Sequence, residues 1–188
     1  PRDRVILTCM ADLPTAVELR PLPDAWEVAR RLADLPGLLF FDSSECHPTL
    51  GRYSFVTADP VEWVERFVDD ASVVDPFAAL PLRPGGRIPG LPPFQGGWAG
   101  LFGYGLSRTV EQLPPPRRDE FRVPDLAVGY YDWVAAFDHL DRRAWLIARD
   151  SRRLRQASQW LERPRPPRRD PPSASISIAR LAPQFPLD

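Results

Sequence analysis

The chain has 188 residues, of which 44% are hydrophobic and 26% are charged, and its formal net charge at pH 7 is -1. This composition is typical of a globular domain and argues against a chain that is disordered throughout. The near-zero net charge gives no general attraction to nucleic acid or to a membrane surface. No run of about 18 consecutive apolar residues is present, so we expect no transmembrane helix.

The cysteine, lysine and proline contents narrow the possible chemistry. The two cysteines, Cys9 and Cys46, are too few for a disulfide-rich scaffold, and the first residues do not resemble a signal peptide. Both features predict a reduced, cytoplasmic setting. All 24 basic residues are arginine, so the chain has no lysine for Schiff-base chemistry or for a Walker A phosphate loop. The 24 prolines are more than twice the usual share of about 5%.

The first half of the chain predicts several short strands and one clear helix. Asp24 is expected to cap this helix, with Glu27 completing a capping box, and apolar residues follow at helical spacing until Pro36 and Gly37 end it. Residues 61–68 are compatible with either a strand or a helix. The other predicted elements are strands at 5–8, 16–19, 38–41 (a buried strand) and 52–57, and a short helix at 76–80.

Residues 94–105 form a glycine-rich segment that contains five of the 11 glycines of the chain. Its spacing is not that of a nucleotide-binding turn between a strand and a helix, and no lysine is available to bind phosphate. We therefore interpret its glycines as places where another layer packs closely. This interpretation applies to Gly96, Gly97, Gly100 and Gly103. The alternate positions of Trp98, Phe102 and Tyr104 predict that these rings are buried together on one face of a strand.

The second half of the chain predicts a hairpin followed by a helix. Apolar runs at 126–137 and 144–148 flank a polar turn, in which we interpret Asp138 and Asp141 as turn residues and not as catalytic carboxylates. An amphipathic helix is predicted at 151–161. The remaining predicted segments are a solvated Pro/Arg-rich loop or linker at 163–172 and a last strand at 175–179. Many strands with few helices predict an α+β fold, a largely antiparallel two-sheet sandwich with flanking helices.

The polar loop at 42–51 holds the candidate binding groups. Asp42 and Ser43 follow a predicted strand, and their side chains either cap backbone N–H groups of the turn or face a small-molecule pocket that binds a ligand amine. Both interpretations remain open at this point. The adjacent Cys46 and His47 lack further ligands at metal-binding spacing, so we predict no metal site here and a plain free thiol at Cys46.

Several segments, taken in order, resemble component I of the chorismate-utilising synthases, the family of aminodeoxychorismate synthase and anthranilate synthase. The resemblance covers roughly residues 15–188. The segments that carry it are 38–44, which ends in Asp42-Ser43-Ser44; Gly51-Arg52-Tyr53-Ser54-Phe55-Val56; Ala58-Asp59-Pro60; the glycine-rich segment 94–104; 111–114; 123–125; and 131–139, which ends in Asp138-His139.

The resemblance implies that residues 1–188 are the N-terminal domain of a longer enzyme. Mg²⁺ and chorismate would then be bound by a C-terminal chorismate-binding domain that these residues do not include, and no catalytic residue or cofactor is expected in this chain. The implied partners are that domain and a glutamine amidotransferase subunit or domain. A tryptophan effector site between the two sheets is also implied, and the matching positions are Asp42, Ser43, Arg52, Tyr53 and Ser54.

Two features favour the aminodeoxychorismate (para-aminobenzoate) branch over the anthranilate branch. Asp42 stands where anthranilate synthases tend to have Glu, and the long N-terminal extension and regulatory insertions of many anthranilate synthases are absent. Both features weaken the implication of feedback inhibition by tryptophan. The alternative of another class is a stand-alone amino-acid-binding or scaffold domain without catalysis.

Overall fold

The computed structural model describes residues 6–7, 13–45, 47, 49–68, 75–83, 85–114 and 123–164. In this part of the chain lie two α-helices, two 3-10 helices and nine strands. The helices are α1 (Ala25–Arg31), α2 (Ser151–Glu162) and the 3-10 helices Pro76–Ala79 and Tyr104–Thr109. The strands are β1 (Ile6–Leu7), β2 (Thr15–Glu18), β3 (Leu39–Phe41), β4 (Tyr53–Thr57), β5 (Glu62–Arg66), β6 (Gly97–Phe102), β7 (Leu126–Tyr131), β8 (Trp133–Asp138) and β9 (Arg143–Ala148).

All strand pairs are antiparallel, and they form two sheets. Sheet A has six strands in the order β1-β2-β9-β8-β4-β3, and sheet B has three strands in the order β5-β7-β6. Over the described residues the chain passes between the sheets twice, from β4 to β5 through residues 58–61 and from β7 to β8 at Asp132. This architecture confirms the predicted α+β fold with two antiparallel sheets and flanking helices.

The helices begin where the sequence places their caps. The side chain of Asp24 accepts a hydrogen bond from the backbone N–H of Glu27 at 2.9 Å, and the side chain of Asp150 accepts one from Arg153 at 2.8 Å. The buried faces of both helices pack on one face of sheet A, where the rings of Trp133 and Trp160 lie 5.6 Å apart. Neither helix of the described residues is long and apolar enough to cross a bilayer.

The two faces of sheet A are covered by different parts of the chain, one by the two α-helices and the other by a loop. Even-numbered residues of β4, such as Val56, face the helices, whereas Phe55 faces a second cluster with Val134, Trp145 and Phe94. This second cluster is covered by residues from the loop that precedes β6. A third cluster joins one face of sheet B to the two 3-10 helices.

Three sequence predictions need correction. The predicted strand at 126–137 is two strands in different sheets, because β7 ends before Asp132 and β8 begins after it. The predicted buried strand at 38–41 is the edge strand β3, and its Phe41 is 43% exposed. Of the three rings expected on one buried face, Phe102 is 50% and Tyr104 is 89% exposed, because β6 ends at Phe102 and a 3-10 helix begins at Tyr104.

Other predicted elements have clear outcomes. The ambiguous segment 61–68 is the strand β5, and the hairpin of β8 and β9 and the helix α2 are confirmed. Asp138 is the last residue of β8, and its side chain accepts hydrogen bonds from the N–H groups of the turn residues Leu140 and Asp141 at 3.0 and 3.1 Å. The strand predicted at 175–179, the linker beyond residue 164 and Cys46 lie outside the described residues.

Arg153 of α2 holds both passages between the sheets. Its Nε donates to Asp132 at 2.7 Å, its Nη1 donates to the carboxylate of Asp59 at 2.8 Å, and its Nη2 donates to the carbonyl oxygen of Asp59. The guanidinium lies 5.0 Å from the ring centre of Trp160, and Arg153 is only 9% exposed. Asp59 has a φ of +54°, so this contact also holds a left-handed backbone position.

Gly100 of β6 lies opposite Val128 of β7 and has a φ of +151°. A Cβ atom there would lie 2.3 Å from the carbonyl oxygen of Ala127 and 2.8 Å from the Cα of Val128. The predicted close approach is therefore confirmed at Gly100. The same holds at Gly96 and Gly103, but at Gly97 the prediction is wrong, because nothing lies within 4 Å of that position.

We predict that Arg153→Ala lowers the free energy of unfolding of the 188-residue protein by about 3 kcal/mol, because it leaves the Asp132 carboxylate, whose side chain is 13% exposed, without its cation. Urea denaturation followed by tryptophan fluorescence measures the change. The matched control is Arg152→Ala, since Arg152 is the exposed neighbour on the same helix, and we expect a change within about 0.5 kcal/mol. Equal effects of the two variants would contradict the assigned role of Arg153.

We also predict that Gly100→Val lowers the free energy of unfolding by about 3 kcal/mol or more, through overpacking against β7 and backbone strain. The control is Gly85→Val, because the Cβ position of Gly85 has nothing within 4 Å. Thermal melts of both variants test the prediction. A Gly100→Val protein that melts at the wild-type midpoint would show that β6 and β7 are not packed as described.

Candidate functional site

Pairing of β3 with β4 brings the five candidate effector residues together. Asp42 and Ser43 follow the end of β3, and Arg52, Tyr53 and Ser54 lie at the start of β4. Because the two strands are antiparallel, with Phe41 opposite Phe55, the end of one meets the start of the other. The end of β8 also lies here, since Tyr53 is opposite Asp138.

The buried hydroxyl of Ser54 is the centre of this cluster. Its oxygen accepts a hydrogen bond from the N–H of Ser43 at 3.0 Å, and its O–H donates to Asp42 at 3.0 Å. The Nε2 atom of His139 lies 2.7 Å away and donates to the same oxygen, because the only proton of the hydroxyl is directed to Asp42. All three hydrogen-bonding positions of Ser54 are therefore occupied, which suits a positioning group and not a nucleophile.

Ser43 is bound to the neighbouring strand. Its hydroxyl donates to the carbonyl oxygen of Tyr53 at 2.6 Å, while its N–H is taken by Ser54. Ser43 thus caps a backbone carbonyl group and Ser54 caps the N–H of Ser43, whereas the sequence interpretation expected Asp42 and Ser43 to cap N–H groups of the turn. The other interpretation is compatible with this geometry, because the oxygen of Ser43 keeps lone pairs that can accept from a ligand ammonium.

Arg52 pairs with two carboxylates of the hairpin turn. Its Nε donates to the oxygens of Asp138 at 3.1 and 3.0 Å, and its Nη2 donates to Asp138 at 2.6 Å and to Asp141 at 2.8 Å. Burial alone would raise the pKa of Asp138, but the bonds from Arg52 and from two backbone N–H groups lower it below its ordinary value. The hydrogen bond with Asp138 raises the pKa of Arg52. This guanidinium therefore ties β4 to the hairpin of β8 and β9.

The five candidates are divided between the two faces of sheet A. Ser54 faces the helix layer, whereas Tyr53 faces away from it, towards Phe55 at a ring distance of 6.1 Å. Phe94 makes edge-to-face contacts with Phe55 at 5.7 Å and with Phe41 at 6.4 Å. Phe41, Tyr53, Phe55 and Phe94 form a half-open aromatic wall, which we call the aromatic face.

A cleft of about 440 Å³ opens on the helix side of the same strand ends. Phe40 and Trp26 lie in its wall with ring centres 6.0 Å apart, and Trp26 is 58% exposed. Its polar groups are Asp24, Asp42, Asp138, His139, Arg142 and Arg143. The cluster around Ser54 thus borders a cleft on one side of the sheet, and the aromatic face lies on the other.

Sequence analysis did not identify His139 or Phe94 as part of this site. His139 lies 85 residues from Ser54 in the chain, and only the pairing of β4 with β8 brings them together. The signal available for it was the Asp-His pair that ends the hairpin strand. Phe94 opens the glycine-rich segment, but its contact with Phe55 depends on the loop that crosses sheet A. Within the described ranges, no group of three or more His, Cys, Asp or Glu could hold a metal ion.

Comparison with known proteins finds relatives that are named aminodeoxychorismate synthase or anthranilate synthase, although no family model matches the chain. The chain is 32% identical over 176 residues to aminodeoxychorismate synthase component 1 of Salmonella typhimurium, covering 84% of this chain and 38% of that protein. It is 32% identical over 149 residues to the Escherichia coli protein of the same name, covering 70% and 32%. It is 40% identical over 94 residues to anthranilate synthase component 1 of Thermus thermophilus, covering 47% and 20%.

The chain spans between 32% and 38% of the length of the first two relatives. The first alignment nevertheless covers 84% of this chain. The chain therefore belongs to the component I family of the chorismate-utilising synthases, which includes aminodeoxychorismate synthase and anthranilate synthase.

Proposed function

We propose that the chain is the N-terminal, effector-binding and partner-docking part of an aminodeoxychorismate synthase component I. The whole enzyme would aminate chorismate to 4-amino-4-deoxychorismate for para-aminobenzoate and folate synthesis in the cytoplasm. The observation that supports this branch is the alignment of 84% of the chain with the Salmonella protein, compared with 47% for the Thermus anthranilate synthase. Because the chain spans 38% of the former, chorismate and Mg²⁺ are assigned to the remainder of the enzyme.

A second component belongs to the same proposal. The relatives are each named component 1, which implies a partner component in those proteins. For this protein we take that partner to be a glutamine amidotransferase subunit or domain that supplies ammonia. The second candidate function is that of an anthranilate synthase component I, which is favoured by the 40% identity over 94 residues with the Thermus protein.

The test uses the product of the whole gene that encodes this chain, purified with its amidotransferase and supplied with chorismate, glutamine and Mg²⁺. We expect 4-amino-4-deoxychorismate, identified by chromatography and mass spectrometry. Formation of anthranilate would instead support the second candidate. No amination, together with a gene that ends at this chain, would support the stand-alone binding domain.

We predict that the 188-residue protein alone does not aminate chorismate with either glutamine or ammonium in the presence of Mg²⁺. The reason is that the chain has no lysine and corresponds to 38% of the Salmonella relative. Product formation is measured against a blank without protein. Amination clearly above that blank would place catalytic groups within these residues and would contradict the proposal.

The effector part of the proposal rests on the two strand ends. A tryptophan ring would pack on the aromatic face, where Phe41 and Tyr53 are only partly covered. Its ammonium would lie near Ser43, whose oxygen can accept a hydrogen bond, and near Asp42, which uses one carboxylate oxygen to accept from Ser54. Arg52 would act by holding β4 in place through its bonds to Asp138 and Asp141, and Ser54 would do so because its three hydrogen-bonding positions are occupied.

We therefore predict that the protein binds tryptophan and that Ser43→Ala weakens binding about tenfold, since loss of one charged hydrogen bond costs ~1.5–3 kcal/mol. Isothermal titration calorimetry measures both dissociation constants. Ser44→Ala is the matched control, because Ser44 is the exposed next residue, and it should leave the affinity unchanged. The effector assignment fails if the wild-type protein gives no heat with tryptophan, or if both variants lose the same affinity.

A further inference from the structure

A second cleft, separate from the candidate effector residues, lies where the ends of the two sheets meet. It has a volume of about 380 Å³ and contains none of Asp42, Ser43, Arg52, Tyr53 and Ser54. Its walls come from both sheets, since Arg149 follows β9 of sheet A and Trp98 and Tyr130 belong to sheet B. We call it the crossover cleft, because the passage from β7 to β8 at Asp132 forms part of it.

The charge of the crossover cleft is not balanced by its own residues. Arg87 and Arg149 line it, and within the described part of the chain neither side chain has a carboxylate partner. Asp132 is the one carboxylate that lines it among the described residues, and this group is bound by Arg153 at 2.7 Å. Two exposed guanidinium groups are therefore available to an anion that enters the cleft.

The same cleft contains two aromatic side chains, Trp98 and Tyr130. The rings of Trp98 and Tyr130 meet edge to face at 5.4 Å, and both are half-buried. The guanidinium of Arg83 lies 4.4 Å from the ring centre of Tyr130, and an ion pair with Glu62 holds it there. The indole N–H of Trp98 is also fixed, since it donates to the carbonyl oxygen of Pro81 at 3.2 Å. These contacts hold the rings in one arrangement before any ligand is present.

We infer that the crossover cleft binds a small aromatic carboxylate, whose ring packs against Trp98 and Tyr130 and whose carboxylate pairs with Arg87 and Arg149. A guanidinium group presents N–H donors in a plane that matches a carboxylate, and aromatic pairs add attraction beyond the area that they bury. A plain anion would use the arginines but not the rings. The inference goes beyond the proposed function, because it concerns another site and does not depend on tryptophan or chorismate.

The test uses benzoate as the probe, with three comparison compounds. Benzamide keeps the ring without the charge, acetate keeps the charge without the ring, and inorganic phosphate is a small anion of another shape. Nuclear magnetic resonance of the 188-residue protein follows the indole N–H of Trp98, assigned by Trp98→Phe. We expect benzoate to shift this signal with a dissociation constant of about 1 mM, as ligand efficiency suggests for a molecule of this size.

Variants identify the charged contacts. We expect Arg87→Gln and Arg149→Gln each to weaken benzoate binding about fivefold to tenfold. Arg155→Gln is the matched control, because Arg155 is exposed on α2 and does not line the cleft, and it should not change the affinity. Each variant is first shown to melt as the wild type does, and if one of the two cleft variants does not, the other single variant tests the charged contact.

The inference is overturned if benzoate leaves the Trp98 signal unchanged up to about 20 mM, well above the dissociation constant expected from ligand efficiency. Equal binding of benzamide would remove the role of the arginines, and equal binding of acetate or phosphate would remove the role of the rings. An equal loss of affinity in Arg155→Gln would show an effect of overall charge and not of this cleft. Tryptophan binding tests the effector site independently. Failure of either proposal therefore does not contradict the other.

Discussion

The hydrogen bonds of Arg153 connect helix α2 to both places where the chain changes sheets. One of these places is Asp59, after β4, and the other is Asp132, between β7 and β8. Further bonds fix the same region, because the indole of Trp133 donates to the carbonyl oxygen of Ala58 at 2.7 Å and Tyr131 donates to Gly37 at 2.6 Å. Since β4 and β8 are neighbours in sheet A and β5 and β7 are neighbours in sheet B, one cation aligns both sheets.

This alignment also determines which side chains meet at the other end of β4 and β8, where the candidate effector residues lie. The pairing register of β4 and β8 places Tyr53 opposite Asp138. This register brings Arg52 to Asp138 and Asp141, and it brings His139 to Ser54. A slip of one residue would turn Ser54 towards the aromatic face and Tyr53 towards the helices. The candidate effector residues therefore depend on packing at the far end of their own strand, and not only on their neighbours in sequence.

Features set by neighbouring residues were predictable from the sequence, and features set by distant contacts were not. The cap at Asp24 and the hairpin of β8 and β9 use contacts within a few residues, so local patterns identified them. The break at Asp132 left no local signal, because apolar residues flank it on both sides and its partner Arg153 lies 21 residues away. The family motifs brought Ser43 and Ser54 into one predicted site, but the division of that site between two faces of sheet A required the strand register.

The basic residues are all arginine, and two of the arginines each form hydrogen bonds to several acceptors in this fold. Arg153 bonds two aspartates and one carbonyl group, and Arg52 bonds Asp138 through two nitrogens while reaching Asp141. A lysine ammonium is a compact point charge, so it could neutralise one such carboxylate but could not span several acceptors in one plane. The planar guanidinium groups of Arg153 and Arg52 therefore hold the backbone segments that they connect. In the crossover cleft, where Arg87 and Arg149 have no carboxylate among the described residues, the same geometry remains available to a planar ligand.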